Sequence, residues 1–182
     1  MSFSGDRFLM KSSKLTLVLM AELPGAGKST LDSALGRELN WHVIDKDRHK
    51  EVLMKQGLDE ETAGRATYEL AFEVARTVLM KQQASIILDC AALYSFILEN
   101  ALDIVHSVPN AQLKVILCVA DRDTRNKRLR NRPLQITNIR VNPETIADYL
   151  RLFQHLPPDV LTLYTFNPFH ECLKEAKNYL SG

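Results

Sequence analysis

With 182 residues, 46% of them apolar and 25% charged, and a net charge of +1, the chain has the make-up of an ordinary soluble globule, large enough to bury a core in one domain covering residues 1–182. The near-neutral balance supplies no overall field for nucleic acid or an acidic membrane, and the longest apolar run is about half of what a membrane span requires. The three cysteines, Cys90, Cys118 and Cys172, show no paired spacing and the five histidines no metal-ligand spacing, which argues against a disulfide framework and a histidine metal centre and for a reducing, cytoplasmic setting.

Residues Met1–Ser13 are mixed and polar, and are expected to form a leader rather than a targeting segment. Leu15–Ala21 is a continuous apolar run, the pattern of a strand buried on both faces. A glycine turn follows, and then a helix over Lys28–Leu39. Trp41–Ile44 reads as a second buried strand and Asp47–Gln56 as a short helix. Glu60–Gln83 reads as a long helix, because Ala63, Ala66, Leu70, Val74 and Val78 recur near helical spacing. Ser85–Leu88 is a third strand, Ser95–Ser107 a helix, Leu113–Ala120 a fourth strand, and Asp121–Arg130 a helix leading into a basic loop. Asn142 reads as an N-cap with Pro143 at the first helical position of a helix reaching about His155, where Pro157-Pro158 stop it. Val160–Phe166 is the fifth strand, and Phe169–Leu180 closes the chain as a helix after Asn167-Pro168.

Alternating strands and helices predict an α/β sandwich on a five-stranded parallel sheet. Such a sheet takes its ligand at the carboxyl ends of its strands. The glycine turn, Asp45-Lys46-Asp47, Asp89 and Asp121-Arg122-Asp123 follow the first four strands and are expected to share one crevice.

Within that crevice, Leu23-Pro24-Gly25-Ala26-Gly27-Lys28-Ser29-Thr30 lies between a strand and a helix N-terminus. The N–H groups of the turn and the positive end of the helix dipole converge on one spot, which favours phosphate. Lys28 adds a mobile positive charge, and Ser29 offers a hydroxyl to Mg²⁺. The string fits the phosphate-loop pattern G-x-x-x-x-G-K-[ST], except that Glu22 holds the first glycine position. A carboxylate beside bound phosphate is unfavourable, so the Glu22 side chain is expected to turn away or to pair with a base.

Asp45 and Asp47, read as an extended segment, face the same way. One could hold a water of Mg²⁺, and the other could accept a proton from an acceptor hydroxyl or orient it. Lys50, three residues on, could grip an anionic or polar substrate. Equally, one aspartate could be a helix N-cap, with Arg48, His49 and Lys50 solvated. Asp89 ends Ile86-Ile87-Leu88, the shape of a strand whose final carboxylate holds Mg²⁺ through water; the alternative is a turn aspartate.

Residues 121–140 carry Arg122, Arg125, Lys127, Arg128, Arg130, Arg132 and Arg140. On a helix, Arg125, Arg128 and Arg132 fall on one side. They could form a lid over donor phosphates, stabilising charge as a phosphoryl group moves, or simply a solvated face. No aromatic residues are interleaved, so base stacking is not indicated there.

On these residues the chain resembles the small P-loop kinases, in particular the AAA-domain kinase-like group with zeta toxins, polynucleotide 5′-kinases and chloramphenicol phosphotransferases. The resemblance runs from Leu15 to Leu180. It implies a P-loop NTPase fold of the nucleoside-kinase-like type, a three-layer sandwich. It also implies that Gly25, Ala26, Gly27, Lys28, Ser29 and Thr30 hold ATP phosphates, with Mg²⁺ at Ser29 and Asp89. Asp45-Lys46-Asp47-Arg48-His49-Lys50 resembles the D-x-D-x-x-[RK] element of adenylylsulfate and shikimate kinases, which carries acceptor-binding and catalytic carboxylates and makes Asp47 the expected base, with Asp45 nearer the metal; Asp45, Asp47 and Lys50 are the expected substrate-binding residues. Arg128 and Arg132 correspond to lid arginines.

The expected activity is transfer of the γ-phosphoryl group of ATP to a hydroxyl of a small molecule or nucleotide. A nucleotide-binding regulator with slow ATP hydrolysis and a 5′-hydroxyl polynucleotide kinase are the other readings. Nucleic acid is the less favoured partner, given the near-neutral charge and single tryptophan, and no membrane partner is expected. ATP is preferred to GTP because no N-K-x-D guanine-recognition string is present.

Overall fold

The computed structural model describes residues 14–131 and 143–182. Five strands, β1 (Leu15–Glu22), β2 (His42–Asp45), β3 (Ile86–Asp89), β4 (Ala111–Val119) and β5 (Leu161–Tyr164), form one sheet in the order β2-β3-β1-β4-β5. Every pairing is parallel. Such a sheet is covered on both faces, which is why its strands are runs of apolar residues rather than alternations. The central strand shows this most clearly: Leu17, Val18, Leu19, Met20 and Ala21 of β1 are all fully buried.

The first helix, α1 (Lys28–Leu39), packs against the last, α7 (Phe169–Ser181). Helix α3 (Glu60–Thr77) packs against α4 (Ser95–Ser107). Right-handed crossovers put these two pairs on opposite faces of the sheet, giving three layers. Between β2 and α3 lies α2 (Lys46–Lys55), which packs along α3. Helix α5 (Arg122–Arg130) follows β4, and the short α6 (Ile146–Arg151) precedes β5. No helix of the described residues is long and apolar enough to cross a membrane.

Two elements differ from expectation. The long helix ends at Thr77 and continues as a wider π turn over Val78–Gln82, closed by Gln83 in the left-handed conformation (φ 52°). Its buried face also differs from the expected stripe: it runs Ala63, Thr67, Ala71 and Ala75, while Leu70 and Val74 are exposed. Pro143 precedes α6 rather than opening it. Thr145 is the cap: its Oγ1 accepts the N–H of Asp148 at 3.1 Å and donates to the Asp148 carboxylate at 2.7 Å. This reciprocal threonine–aspartate cap satisfies the first helical turn and sets the boundary that proline alone suggested earlier in the chain. Asn142, the expected cap, lies outside the described residues, as do Met1–Ser13, Arg132 and Arg140.

Candidate active site

The phosphate loop turns sharply at two glycines. Gly25 has φ +86° and Gly27 φ +99°, a region that L side chains rarely adopt. At Gly25 space is also short, since a Cβ would lie 2.8 Å from the Arg125 carbonyl oxygen. The loop is thus pressed against the backbone of α5. Gly27 is the N-cap of α1 and brings no side chain to the first turn, so the helix's leading N–H groups need another partner.

That partner is Glu22. Its carboxylate accepts the Lys28 N–H at 2.8 Å and lies 3.7 Å from the Lys28 ammonium. The expectation that Glu22 pairs with a base is met. The same ammonium is in direct contact with Asp89 at the end of β3, and all three side chains are buried. Asp89 is also 3.4 Å from the Ser29 hydroxyl. A hydroxyl and a carboxylate side by side are hard oxygen donors and fit Mg²⁺, which takes few protein ligands and keeps the rest of its shell for water and phosphate.

Asp32, one turn along α1, is buried, and among the described residues its Oδ2 has no hydrogen-bond partner. Burial pushes its carboxyl up to about 6, against the pull of Lys28 and Ser33. The folded protein therefore holds this proton more tightly than the unfolded chain does. Stability contributed by the protonated form falls as pH rises from about 4 to about 6, and the deficit persists above that window. Asp32→Asn is expected to raise stability near neutral pH by roughly 2–3 kcal/mol and to flatten this dependence. Thermal melts of both proteins between pH 4 and 8 check it.

Beyond the second strand, Asp45 and Asp47 do not share a face. The strand ends at Asp45 and α2 begins at Lys46, so the period changes between them. Asp45 turns back to cap α2, accepting the Arg48 N–H at 2.9 Å, while Asp47 stays exposed in the first turn. Lys46, which sequence reasoning passed over, is buried. Its ammonium sits 2.8 Å from the Asp47 carboxylate and 4.6 Å from the centre of the Tyr68 ring. Although the Asp47 side chain reaches solvent, its surroundings strip away part of its water and raise the carboxyl, but Lys46, with Lys28 and Lys50, more than reverses this and holds it below the ordinary carboxylate range. Lys50 bonds Glu60 at 2.9 Å. Cys90, just beyond Asp89, is no nucleophile: burial pushes its thiol up to about 12.

Arg128 lies on the opposite side of the phosphate loop. Its guanidinium donates to the carbonyls of Gly25 (3.3 Å) and Ala26 (3.2 Å), to the Thr165 hydroxyl (3.0 Å) and to the Thr165 carbonyl (2.6 Å). The Thr165 hydroxyl in turn donates to Ala26. These bonds tie α5, the loop and the segment after β5 together around an open cleft of about 540 Å³, whose walls include Gly27, Thr30, Arg128, Thr165, Phe166 and Phe169. Arg125, on the same helix, is buried over the Tyr149 ring and donates to the Pro143 carbonyl.

Solved structures share this fold. A protein from Chloroflexus aurantiacus j-10-fl assigned as a kinase superposes with TM-score 0.68 at 21% identity, covering 91% of this chain and 98% of its own. The APS kinase CysC of Mycobacterium tuberculosis, solved in complex with AMPPNP and APS, gives TM-score 0.65 at 15% identity, covering 93% and 99%. A gluconokinase from Sinorhizobium meliloti 1021 gives 0.58 at 15%, covering 93% of each chain. Among the curated proteins none matches the sequence significantly. The model of the AAA domain family matches residues 17–156. The chain belongs to this AAA domain family. Its fold is the kinase-like P-loop NTPase fold of these neighbours.

Two parts of this AAA domain escaped the sequence. Thr165 and Phe166 follow the fifth strand, so the rule that strand ends share one crevice finds them when carried one strand further. Tyr149 lies far along the chain, yet its hydroxyl accepts the Leu23 N–H at 2.6 Å and donates to the Cys118 carbonyl at 2.7 Å, bracing the base of the phosphate loop. No local motif announces it.

Proposed function

We propose that the protein is an ATP-dependent phosphotransferase that moves the γ-phosphoryl group to a hydroxyl of a small molecule or nucleotide. The observation that carries this reading is the buried Lys28 ammonium, set at a helix N-terminus between the phosphate loop and Asp89, with an ionised Asp47 on the far side of the same sheet edge. Gly25, Ala26, Gly27, Lys28, Ser29 and Thr30 receive the donor phosphates. The cleft bounded by Thr165 and Phe169 takes the nucleoside of ATP, and Arg128 holds that wall to the loop. Arg132 is proposed as a lid arginine on the sequence pattern alone.

Ser29 and Asp89 would hold Mg²⁺, which when bound neutralises phosphate charge. Asp47 accepts the hydrogen of the acceptor hydroxyl and orients its oxygen. A carboxylate held below its usual range is a weak base, so positioning is its main task, in keeping with phosphoryl transfer generally. Asp45 and Lys50 shape the wall next to it. The test is incubation with labelled ATP and Mg²⁺ against panels of sugars, nucleosides, antibiotics and 5′-hydroxyl oligonucleotides. Hydrolysis without transfer to any of them would support the second reading, a slow ATPase switch.

Glu22 is the observation that favours that second reading, because its carboxylate occupies a donor, the Lys28 N–H, that a phosphate would otherwise use. Replacing it removes a tethered competitor and a like charge. Glu22→Gly and Glu22→Gln are therefore expected to tighten ATP binding by about tenfold or more, equivalent to roughly 1.4 kcal/mol, while lowering the melting temperature of the ligand-free protein, in Glu22→Gly through loss of the cap and in Glu22→Gln through loss of the ion pair with Lys28. Calorimetric titration and thermal melts read the two opposite effects, and weaker ATP binding in both variants would give Glu22 a task of its own in catalysis.

A further inference from the structure

We propose that the body of the acceptor is a planar aromatic ring laid against Tyr94 and Phe96, which makes the substrate class nucleoside-like rather than a sugar or aliphatic polyol. This rests on the reading of Asp47 as the residue that meets the acceptor hydroxyl. Tyr94 and Phe96 stand where β3 gives way to α4, a few residues past Asp89 and at the carboxyl edge of the sheet. Their rings are near-parallel, 6.0 Å apart at 15°, and remain 54% and 40% exposed. Exposed aromatic surface beside a crevice otherwise ringed by charge is a surface that gains by being covered.

The platform is joined to Asp47 by an unbroken chain of contacts. Phe96 meets the Tyr68 ring edge-on at 5.2 Å. Tyr68 carries the Lys46 ammonium over its face, and that ammonium bonds Asp47. Tyr68 is held from behind by Phe72 at 6.2 Å. One lysine thus neighbours both the Asp47 carboxylate and the Tyr68 ring, and Tyr68 in turn meets Phe96 of the platform. Exposed Arg48 and His49 line the rim of α2, which accommodates phosphate or carboxylate substituents on the acceptor. An acyclic polyol or sugar acid has no flat apolar face to lay on these rings, and hydroxyls pressed against them lose water without replacement. A flat ring loses little on leaving water and stacks on any π face.

Atoms balance in the ordinary way: the acceptor oxygen forms a bond to the γ-phosphorus, the bond from that phosphorus to the bridging oxygen of ADP breaks, and the hydroxyl proton leaves by way of Asp47 or water. The test uses the full chain with an ATP analogue present. Binding of adenosine, guanosine, cytidine and thymidine, of a short 5′-hydroxyl oligonucleotide, and of gluconate, ribitol and glycerol is followed by saturation-transfer NMR, and phosphorylation by labelled ATP. Binding and turnover are expected for ring-bearing acceptors. The free nucleosides and the oligonucleotide separate a small-molecule enzyme from one that acts on a strand end. Tyr94→Ala and Phe96→Ala are expected to raise KM for the ring-bearing acceptor roughly tenfold or more, with Tyr94→Phe close to the parent and the affinity for the ATP analogue, titrated separately, unmoved. Turnover of gluconate or ribitol with no binding of any ring compound overturns the inference while leaving the phosphotransferase reading in place. An unchanged acceptor KM in both alanine variants overturns it as well. Failure of the parent protein to bind the ATP analogue removes both.

Discussion

Lys28→Ala is expected to cost this protein its nucleotide binding and a large part of its stability together. The ammonium is the shared partner of two buried carboxylates, Glu22 and Asp89. Removing it leaves two like charges close to each other with little water to screen them, and one-sided loss of a buried ion pair costs about 3–5 kcal/mol. For a domain of this size each 1 kcal/mol moves the melting temperature by about 2–4 °C, so a fall on the order of ten degrees is expected. ATP affinity should drop on the order of a hundredfold or more, since a charge-assisted contact and the shape of the loop go together. A Lys28→Ala, Asp89→Asn double variant should recover part of the melting temperature and none of the turnover. An unchanged affinity for ATP in Lys28→Ala would remove the phosphate-loop assignment.

Asp47→Asn should behave in the opposite way, leaving fold and donor binding in place and removing transfer. Asp47 is exposed and, among the described residues, pairs with Lys46 at 2.8 Å, on the side of Lys28 proposed for the acceptor. Asparagine keeps the shape but loses the negative charge that receives the acceptor hydrogen, which should reduce transfer by about 10²–10⁴. Because its neighbours hold the carboxyl below the ordinary range, Asp47 is ionised throughout the neutral region, and the transfer rate should show no limb there on its account. Single-turnover transfer and analogue titration, run side by side, separate the two effects. Equal loss of both would move Asp47 to the donor site or to folding.

The middle of the sheet was legible because burial on both faces leaves β1, β3 and the second half of β4 as uninterrupted apolar runs, while the edge strands β2 and β5 are only partly buried. Helices α1 and α4 were readable to the residue, since a glycine turn and a serine mark where each begins. The glycine turn was readable because its backbone shape, with Gly25 and Gly27 at positive φ, permits few residue types. Asp45 and Asp47 were harder. Their spacing has one meaning in a strand and another in a helix, and the boundary runs between them. Lys46 was invisible because its burial depends on Tyr68, which is brought to it by the packing of α2 on α3. Likewise Arg128 reads as one of several surface arginines until the fold lays Thr165 and the loop carbonyls beneath it.

The bonds of Arg128 divide the molecule into two sectors of unequal tolerance. One guanidinium stitches the loop between β1 and α1, helix α5 and the stretch after β5 into a single fixture. The opposite wall, made by α2, α3 and the start of α4, shares none of those bonds. An engineer could therefore redraw the second wall, residue by residue, without cutting any bond of the fixture around the glycine turn, the half proposed to take the triphosphate.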